Sequence, residues 1–213
     1  MILLTYHNGK YLVTYISDDL YIGKCISMGY EWDGWMRDPI KHFYKPGTDI
    51  LDVGGNIGYN ALMFSDYGSV HTFEPMLYNI IHKNVHQNNL KNPVKVHPYG
   101  LSSSENSVKL FHPKEPNYGG FSIHPNGGHS EHYDTVQVKR LDDVYNGVPS
   151  IIKLDIEGHE KDALLGAKEI IKKHKPTLFI EIHDNEREKM FPFLYELGYT
   201  MMIPCPEKVY IVT

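Results

Sequence analysis

The sequence predicts an α/β protein built on a mostly parallel sheet with helices on both faces. Three observations predict it. From residue 49 onward, short β-prone runs alternate with stretches of helical period, which is the pattern of βαβ units. The runs "DILDV", "SIIKLDI" and "PTLFIEI" are almost continuously apolar, as strands covered on both faces must be. The first of them leads straight into a glycine-rich turn, "LDVGGNIGYNAL", that opens a helix.

The opening "MILLTYHNGKYLVTYI" alternates around Asn8-Gly9 and predicts a hairpin, not a signal peptide. Residues 18–35 are a mixed Gly, Asp and aromatic stretch ending in "GYEWDGW". Met36 to Tyr44 predicts a short helix stopped by Pro46-Gly47. Residues 1–45 thus form an amino-terminal hairpin and cap. The strand "DILDV" precedes a helix over Tyr59 to Tyr67, and "SVHTFE" precedes one over Met76 to Asn89. "PVKVHPYG" is the third strand.

Residues 102–140 break the alternation. They are rich in Ser, Asn, Gly and His, with β-like pieces "SVKLF" and "DTVQVKR". So long a stretch without a helix predicts a functional β-rich insertion, with "NYGGFSIHPNGGHSEHY" as a mobile substrate loop. "SIIKLDI" is the fourth strand. The helix after it, Glu160 to Lys173, puts Ala163, Leu164, Ala167, Ile170 and Ile171 on one face. "PTLFIEI" is the fifth strand and Glu186 to Leu197 a helix, with Pro192 placed to kink or divide it. "YTMMIPCPEKVYIVT" predicts a closing pair of strands. The 213 residues read as a single domain.

Composition is that of an ordinary globular protein, with 41% apolar and 22% charged residues and a net charge of -5. That balance argues against a nucleic-acid partner, which calls for a basic face. No apolar run approaches the roughly 20 residues of a membrane span. Cys25 and Cys205 stand alone, without metal or redox spacing, so a reducing, cytoplasmic setting is expected.

The glycine turn lies where open α/β sheets bind ligands, outside the carboxyl end of a central strand. A dinucleotide fingerprint needs Gly-x-Gly-x-x-Gly, and here Asp-x-Gly-x-Asn-x-Gly stands instead. A P-loop needs a lysine that is absent. Asp52, just before the glycines, would repel a pyrophosphate at the helix N-terminus and suits a ligand carrying positive charge. S-adenosylmethionine, with an ammonium, a sulfonium and no phosphate, is such a ligand. Glu74 of "FEP", at the end of the next strand and twenty residues past Gly54, is placed to accept both ribose hydroxyls.

"DVGGNIGYNAL", "FEP", "RLDDV", "IIKLDIEGHEKDALLGA" and "PTLFIEIH" occur in this order over residues 29–200. Together they resemble the FkbM family of S-adenosylmethionine-dependent methyltransferases. The resemblance implies a Rossmann-like class I methyltransferase fold whose seven-stranded sheet has an antiparallel last strand. It also implies O-methylation, commonly of a sugar hydroxyl on a glycan or natural product, for example a deoxyhexose such as rhamnose. Asp52, Gly54, Asn56, Gly58, Glu74 and Gly100 are the expected cofactor-binding residues. Two departures stand out. Gly55 occupies a position where the family usually has Ala, and "PYGLSS" offers no carboxylate for the adenine amino group.

A sugar hydroxyl holds its proton tightly, so a general base or a metal ion is expected beside the methyl group. Asp155 and Glu157 in "KLDIEGHE", and Glu181 and His183 in "IEIHD", fall at the ends of the fourth and fifth strands. His183 is the favoured base, because an imidazole titrates near neutrality. Asp155 and Glu181 would orient it, or would hold a divalent ion together with Glu157. The insertion histidines His112, His124, His129 and His132 match no zinc spacing and read as solvated loop residues. Tyr118, Phe121 and Tyr133 beside them would line a carbohydrate acceptor. Tyr30, Trp32 and Trp35 would do the same from the amino-terminal side or anchor the hairpin.

Competing readings are a methyltransferase of a small phenol or protein side chain, a non-catalytic cofactor-binding module and, more distantly, a nicotinamide oxidoreductase. The short chain has no obvious acceptor domain, as expected of a piece of a larger glycan-modifying protein.

Overall fold

The computed structural model describes residues 2–213. A hairpin of β1 (Leu3–His7) and β2 (Leu12–Ile16) leads to α1 (Ile22–Ser27) and α2 (Arg37–Phe43). Then come β3 (Asp49–Val53), α3 (Tyr59–Phe64), β4 (Ser69–Phe73), α4 (Tyr78–His86) and β5 (Val94–His97). The insertion supplies β6 (Gly100–Leu101), β7 (Asn106–Pro113) and β8 (His129–Lys139). The chain closes with α5 (Leu141–Val144), β9 (Pro149–Leu154), α6 (Glu160–Leu165), α7 (Lys168–His174), β10 (Thr177–Glu181), α8 (Arg187–Glu196), β11 (Met202–Pro204) and β12 (Val209–Val212).

The central sheet has seven strands in the order β11-β12-β10-β9-β3-β4-β5. β12 runs antiparallel to both neighbours, and β10, β9, β3, β4 and β5 are mutually parallel. Two-residue alternation splits the strands between the two layers. Leu51, Ile152, Leu178, Ile180 and Val212 pack with α6, α7 and α8 residues such as Leu164, Ile171 and Leu194. Ile50, Ile151, Phe179, Val209 and Ile211 pack with Ile40, Ala61 and Phe64 of the opposite layer. A third cluster joins Val13 and Ile16 of the hairpin to Ile22, Ile26, Leu62 and Ile80.

The register creates the site. Val53 pairs with Phe73 and Leu154, and Leu154 pairs with Ile180. The next residue of each strand, Gly54, Glu74, Asp155 and Glu181, therefore emerges in one row at the carboxyl edge. Between β3 and β9 the strand order reverses, which opens the crevice where such sheets bind ligands.

The structure departs from the sequence reading in four places. Helix α1 lies in the stretch read as mixed. It is only six residues long, too short to show a period, and starts where Asp19 accepts the Tyr21 and Gly23 N–H groups at 3.1 and 3.2 Å. The helix expected over Glu160–Lys173 is two helices. At Gly166 the backbone passes so close to the Ser102 carbonyl that a Cβ would collide with it, and the Gly166 carbonyl accepts the Asp142 N–H. Pro192 does not divide α8; it stands on the exposed face, where water can satisfy the Glu188 carbonyl it leaves free. Last, β8 extends back to His129, so the last five residues of the expected loop, 129–133, are strand, in a separate three-stranded sheet ordered β6-β8-β7. Among the described residues no helix is long and apolar enough to cross a membrane.

Candidate functional site

A cavity of about 470 Å³ lies at the carboxyl edge, bounded by the glycine turn, the row residues Glu74, Asp155 and Glu181, and the insertion loop. That volume suits a small-molecule ligand.

The turn is held by left-handed backbone at Gly54, Asn56 and Gly58, with φ of +84°, +50° and +85°. A Cβ on Gly54 would run into the Asp155 carbonyl, so glycine here sets how closely β3 and β9 approach. Gly54, Gly55, Asn56 and Ile57 line the cavity, as does Gly100. Gly58 does not; it starts α3, accepting the Leu62 N–H at 3.0 Å. A methyl on Gly55 would collide with the Thr72 hydroxyl. Glycine in place of the family's usual Ala thus leaves room for Thr72 on the neighbouring strand.

Asp52 is not where the sequence reading put it. Its carboxylate lies wholly buried behind the turn and is no part of the cavity wall. Oδ2 accepts the Thr72 hydroxyl at 3.1 Å, Oδ1 has no hydrogen-bond partner, and the nearest cation is Lys153 Nζ at 3.8 Å. Burial pushes Asp52 up to about 6, against the opposing pull of Lys153 and the Thr72 hydrogen bond. Lys153, the last residue but one of β9 and 3% exposed, is a central site residue that sequence reasoning missed. It donates to Asp155 Oδ2 at 3.1 Å and to the Gly54 carbonyl at 3.2 Å. Burial works to lower its pKa, but Asp155 and Asp52 outweigh burial and hold the ammonium above the ordinary lysine value. The signal was present: a lysine in "SIIKLDI", a strand that is otherwise apolar up to its end, must have a buried counter-charge.

Glu74 lines the cavity and is already heavily engaged. Oε1 accepts the Met76 and Leu77 N–H groups at 2.8 and 3.1 Å, and Oε2 accepts the Asn56 N–H at 2.9 Å. Burial raises its pKa, while these three backbone hydrogen bonds lower it. A carboxylate has about four acceptor sites, so one remains, on Oε2. The sequence reading expects a bidentate grip on two ribose hydroxyls, and these backbone hydrogen bonds engage the same two oxygens.

At the opposite end, Asp155, Glu157 and Glu181 line the cavity together. β9 ends at Leu154, so Asp155 and Glu157 are not brought together by strand alternation. A turn with Glu157 at φ +53° and Gly158 at +92° does it, braced by Glu160, whose Oε1 accepts the Ile156 N–H at 2.9 Å. Burial followed by the Asp155 charge pushes Glu157 up to about 7. Burial, then Asp155, Glu157 and Glu160, push Glu181 up to about 9. Its Oε2 is buried and has no hydrogen-bond partner. His183 is outside the wall: Nε2 lies 3.6 Å from Glu181 and 3.9 Å from Glu157, and Nδ1 lies 3.4 Å from Lys208 Nζ. The favoured base thus reaches the cavity only through two carboxylates.

Tyr118 and Phe121 line the cavity, and the Tyr118 carbonyl accepts from Asn56 Nδ2 at 2.9 Å, tying the insertion loop to the glycine turn. Tyr133 does not belong to the wall. It is 40% exposed on β8, with Lys109 Nζ over its ring at 4.2 Å. From the amino-terminal cap Trp32 and Asp33 reach the cavity, whereas Trp35 packs into the core. Asp33 is buried, left-handed at φ +52°, and accepts from Asn60 Nδ2 at 2.8 Å. The sequence reading passed over it.

Comparison with known proteins fits this geometry. The family model described as the methyltransferase FkbM domain matches residues 52–201. The hexuronic acid methyltransferase AglP of Haloferax volcanii is 31% identical over 145 residues, 63% of this chain and 56% of that protein. The chain therefore spans little more than half the length of that curated relative. The crystal structure of a methyltransferase FkbM from Methylobacillus flagellatus KT matches with a TM-score of 0.54 at 22% identity. It covers 78% of this chain and 42% of that one, a likeness of fold.

Proposed function

Because the chain belongs to the FkbM methyltransferase family, we propose that the cavity binds S-adenosylmethionine and that the methyl group passes to a carbohydrate hydroxyl. The observation that carries this reading is the row at the carboxyl edge. Glu74, with one open acceptor site, and the carboxylates of Asp155 and Glu181 share one cavity across the glycine turn.

In this reading the ribose stands at Glu74, and the adenine lies against Pro75, Leu101 and Val138, an apolar wall without a carboxylate. The ammonium end meets Asp33, which takes the part first read for Asp52. Asp52 acts from behind by holding Lys153, which in turn fixes Asp155 and the Gly54 carbonyl. The methyl group then faces Asp155, Glu157 and Glu181.

Crowding gives that end its chemistry. A carboxyl held above its ordinary pKa is a stronger base once ionised, and Glu157 and Glu181 are both so held. One of them takes the acceptor proton, and His183, 3.6 Å from Glu181, stands ready to pass it outward. Glu157, Glu181 and His183 also fit a divalent ion, with His183 in place of the expected Asp155. Donor atoms of Glu157, Glu181 and His183 lie within 4.8 Å of one another, and Glu181 Oε2 is an unpartnered buried acceptor. Such an ion would lower the pKa of the acceptor hydroxyl.

The relative named for a hexuronic acid supports a carbohydrate acceptor and widens the expected deoxyhexose to hexoses in general. The free cysteines Cys25 and Cys205 support a reducing compartment. Mass spectrometry of a panel of neutral sugars and hexuronic acids, incubated with chain and cofactor, tests the reading. A methyl ether on a sugar hydroxyl is the expected product; methylation of phenols or proteins alone would replace the acceptor class.

A further inference from the structure

The histidines of the insertion matched no metal spacing along the chain, yet folding brings one of them onto the core. His124 Nε2 lies 3.0 Å from Nδ1 of His159, a residue 35 positions away in sequence, at the start of α6. Asp162 Oδ2, on the first turn of α6, lies 3.8 Å from the same Nδ1. The donor atoms of His124, His159 and Asp162 all lie within 4.8 Å of one another.

We propose that His124, His159 and Asp162 form a site for a zinc-like divalent ion that clamps the insertion loop to the core. Two imidazoles with one carboxylate make a nitrogen-rich set, suited to zinc and its neighbours and ill suited to magnesium or calcium. The distances fit. Bonds of about 2.0 to 2.2 Å at tetrahedral angles place ligand atoms about 3.3 to 3.6 Å apart, and the separations of 3.0 and 3.8 Å straddle that range.

The surroundings are those of a ligand set. Ligating histidines characteristically engage a partner through the other ring nitrogen, and ligating carboxylates are themselves hydrogen-bonded. His159 Nε2 pairs with Ser102 Oγ at 3.0 Å, and Asp162 Oδ1 accepts the Ser103 hydroxyl at 3.0 Å. Three protein ligands leave a fourth position for water.

The place of the site gives it a consequence. His159 lines the main cavity, and the segment carrying His124 contributes Phe121 and Ile123 to the same wall. Beside it, the Ser122 hydroxyl donates to the Glu157 carbonyl at 2.8 Å. An ion between His124 and His159 holds the loop down over the cavity, and without it only hydrogen bonds, His124 to His159 and Ser122 to the Glu157 carbonyl, link the loop to the core at that corner. The inference stands apart from the methyl-transfer reading, because none of its ligands belongs to the Glu157, Glu181 and His183 cluster.

Competition for Zn2+ against a chromophoric chelator, with the full chain, tests it. Wild type should bind zinc, and Ser102→Ala should weaken binding by about 10- to 100-fold. His124→Ala, on an exposed loop, and Asp162→Ala each remove a ligand and should weaken it by more than about 100-fold. Glu181→Gln, which alters the separate Glu157, Glu181 and His183 cluster, should leave the His124-dependent zinc unchanged. Zinc should also slow hydrogen exchange over residues 122–128 in wild type and not in His124→Ala. Absence of zinc binding by wild type, full retention in His124→Ala, or loss of the His124-dependent zinc in Glu181→Gln would each overturn the proposal.

Discussion

Replacing Lys153 by Met should destabilise the protein strongly at neutral pH and much less in mild acid. The side chain is 4% exposed and lies against two carboxylates, one of which, Asp52, is fully buried. Even with Lys153 present, Asp52 titrates at about 6 instead of 3.8. At 1.36 kcal/mol per pKa unit, keeping it ionised at neutral pH costs about 3 kcal/mol. The folded state binds this proton more tightly than the unfolded chain. The stabilisation it gives is therefore full below 3.8 and lost as pH rises through about 6. Removing Lys153 takes away the main opposing charge, and an orphaned buried partner costs about 3 to 5 kcal/mol. For a chain of this size the melting midpoint should fall by on the order of 10 °C. Urea denaturation followed by circular dichroism at pH 7.5 and pH 5 measures the effect. At pH 5 Asp52 is protonated in the variant, so the deficit shrinks, and adding Asp52→Asn at pH 7.5 restores most of the loss. Equal losses at both pH values, or wild-type stability at pH 7.5, would refute a buried charge pair beneath the turn.

Glu181→Gln should lower turnover by about 100- to 10,000-fold, the usual contribution of a general base, with cofactor affinity nearly unchanged by calorimetry. In wild type kcat/KM should climb as pH passes through 7 toward 9, because the base form of Glu157 and Glu181 is the ionised one; a profile flat over that range would exclude both. If an ion activates the hydroxyl instead, chelator should abolish turnover. Gly55→Ala should cost about 1 to 3 kcal/mol by overpacking against Thr72, and Thr72→Ala in the same chain should relieve it, as read from urea midpoints. Phe121→Ala should raise the KM for acceptor while Tyr133→Ala leaves it unchanged, since only Phe121 borders the cavity; equal effects would return Tyr133 to the site.

The parallel strands β3, β9 and β10 were legible because burial on both faces leaves an unmistakable apolar run, β4 and β5 because apolar and polar residues alternate in them, and every strand of the central sheet has its counterpart in the sequence. The glycine turn and Glu74 were legible for a related reason. Left-handed backbone and close strand approach demand glycine, and the register then fixes which residues emerge beside it. What stayed hidden depends on side-chain direction and on contacts distant in sequence. Asp52 precedes the turn in sequence but points behind it toward Lys153. His183 follows Glu181 by two residues and yet lies outside the wall. Asp33 enters the cavity from a cap with no periodic pattern, and His124 meets His159 only once the insertion folds back. Alternation along a strand says nothing about residues beyond its end, and Asp155, Glu157 and His183 all lie there.

Isothermal titration calorimetry of S-adenosylmethionine and its demethylated product, set against NAD, tests the central claim most directly. Both adenosyl compounds should bind with one site per chain, and NAD should give no heat of binding. Binding of NAD without binding of S-adenosylmethionine would contradict the account.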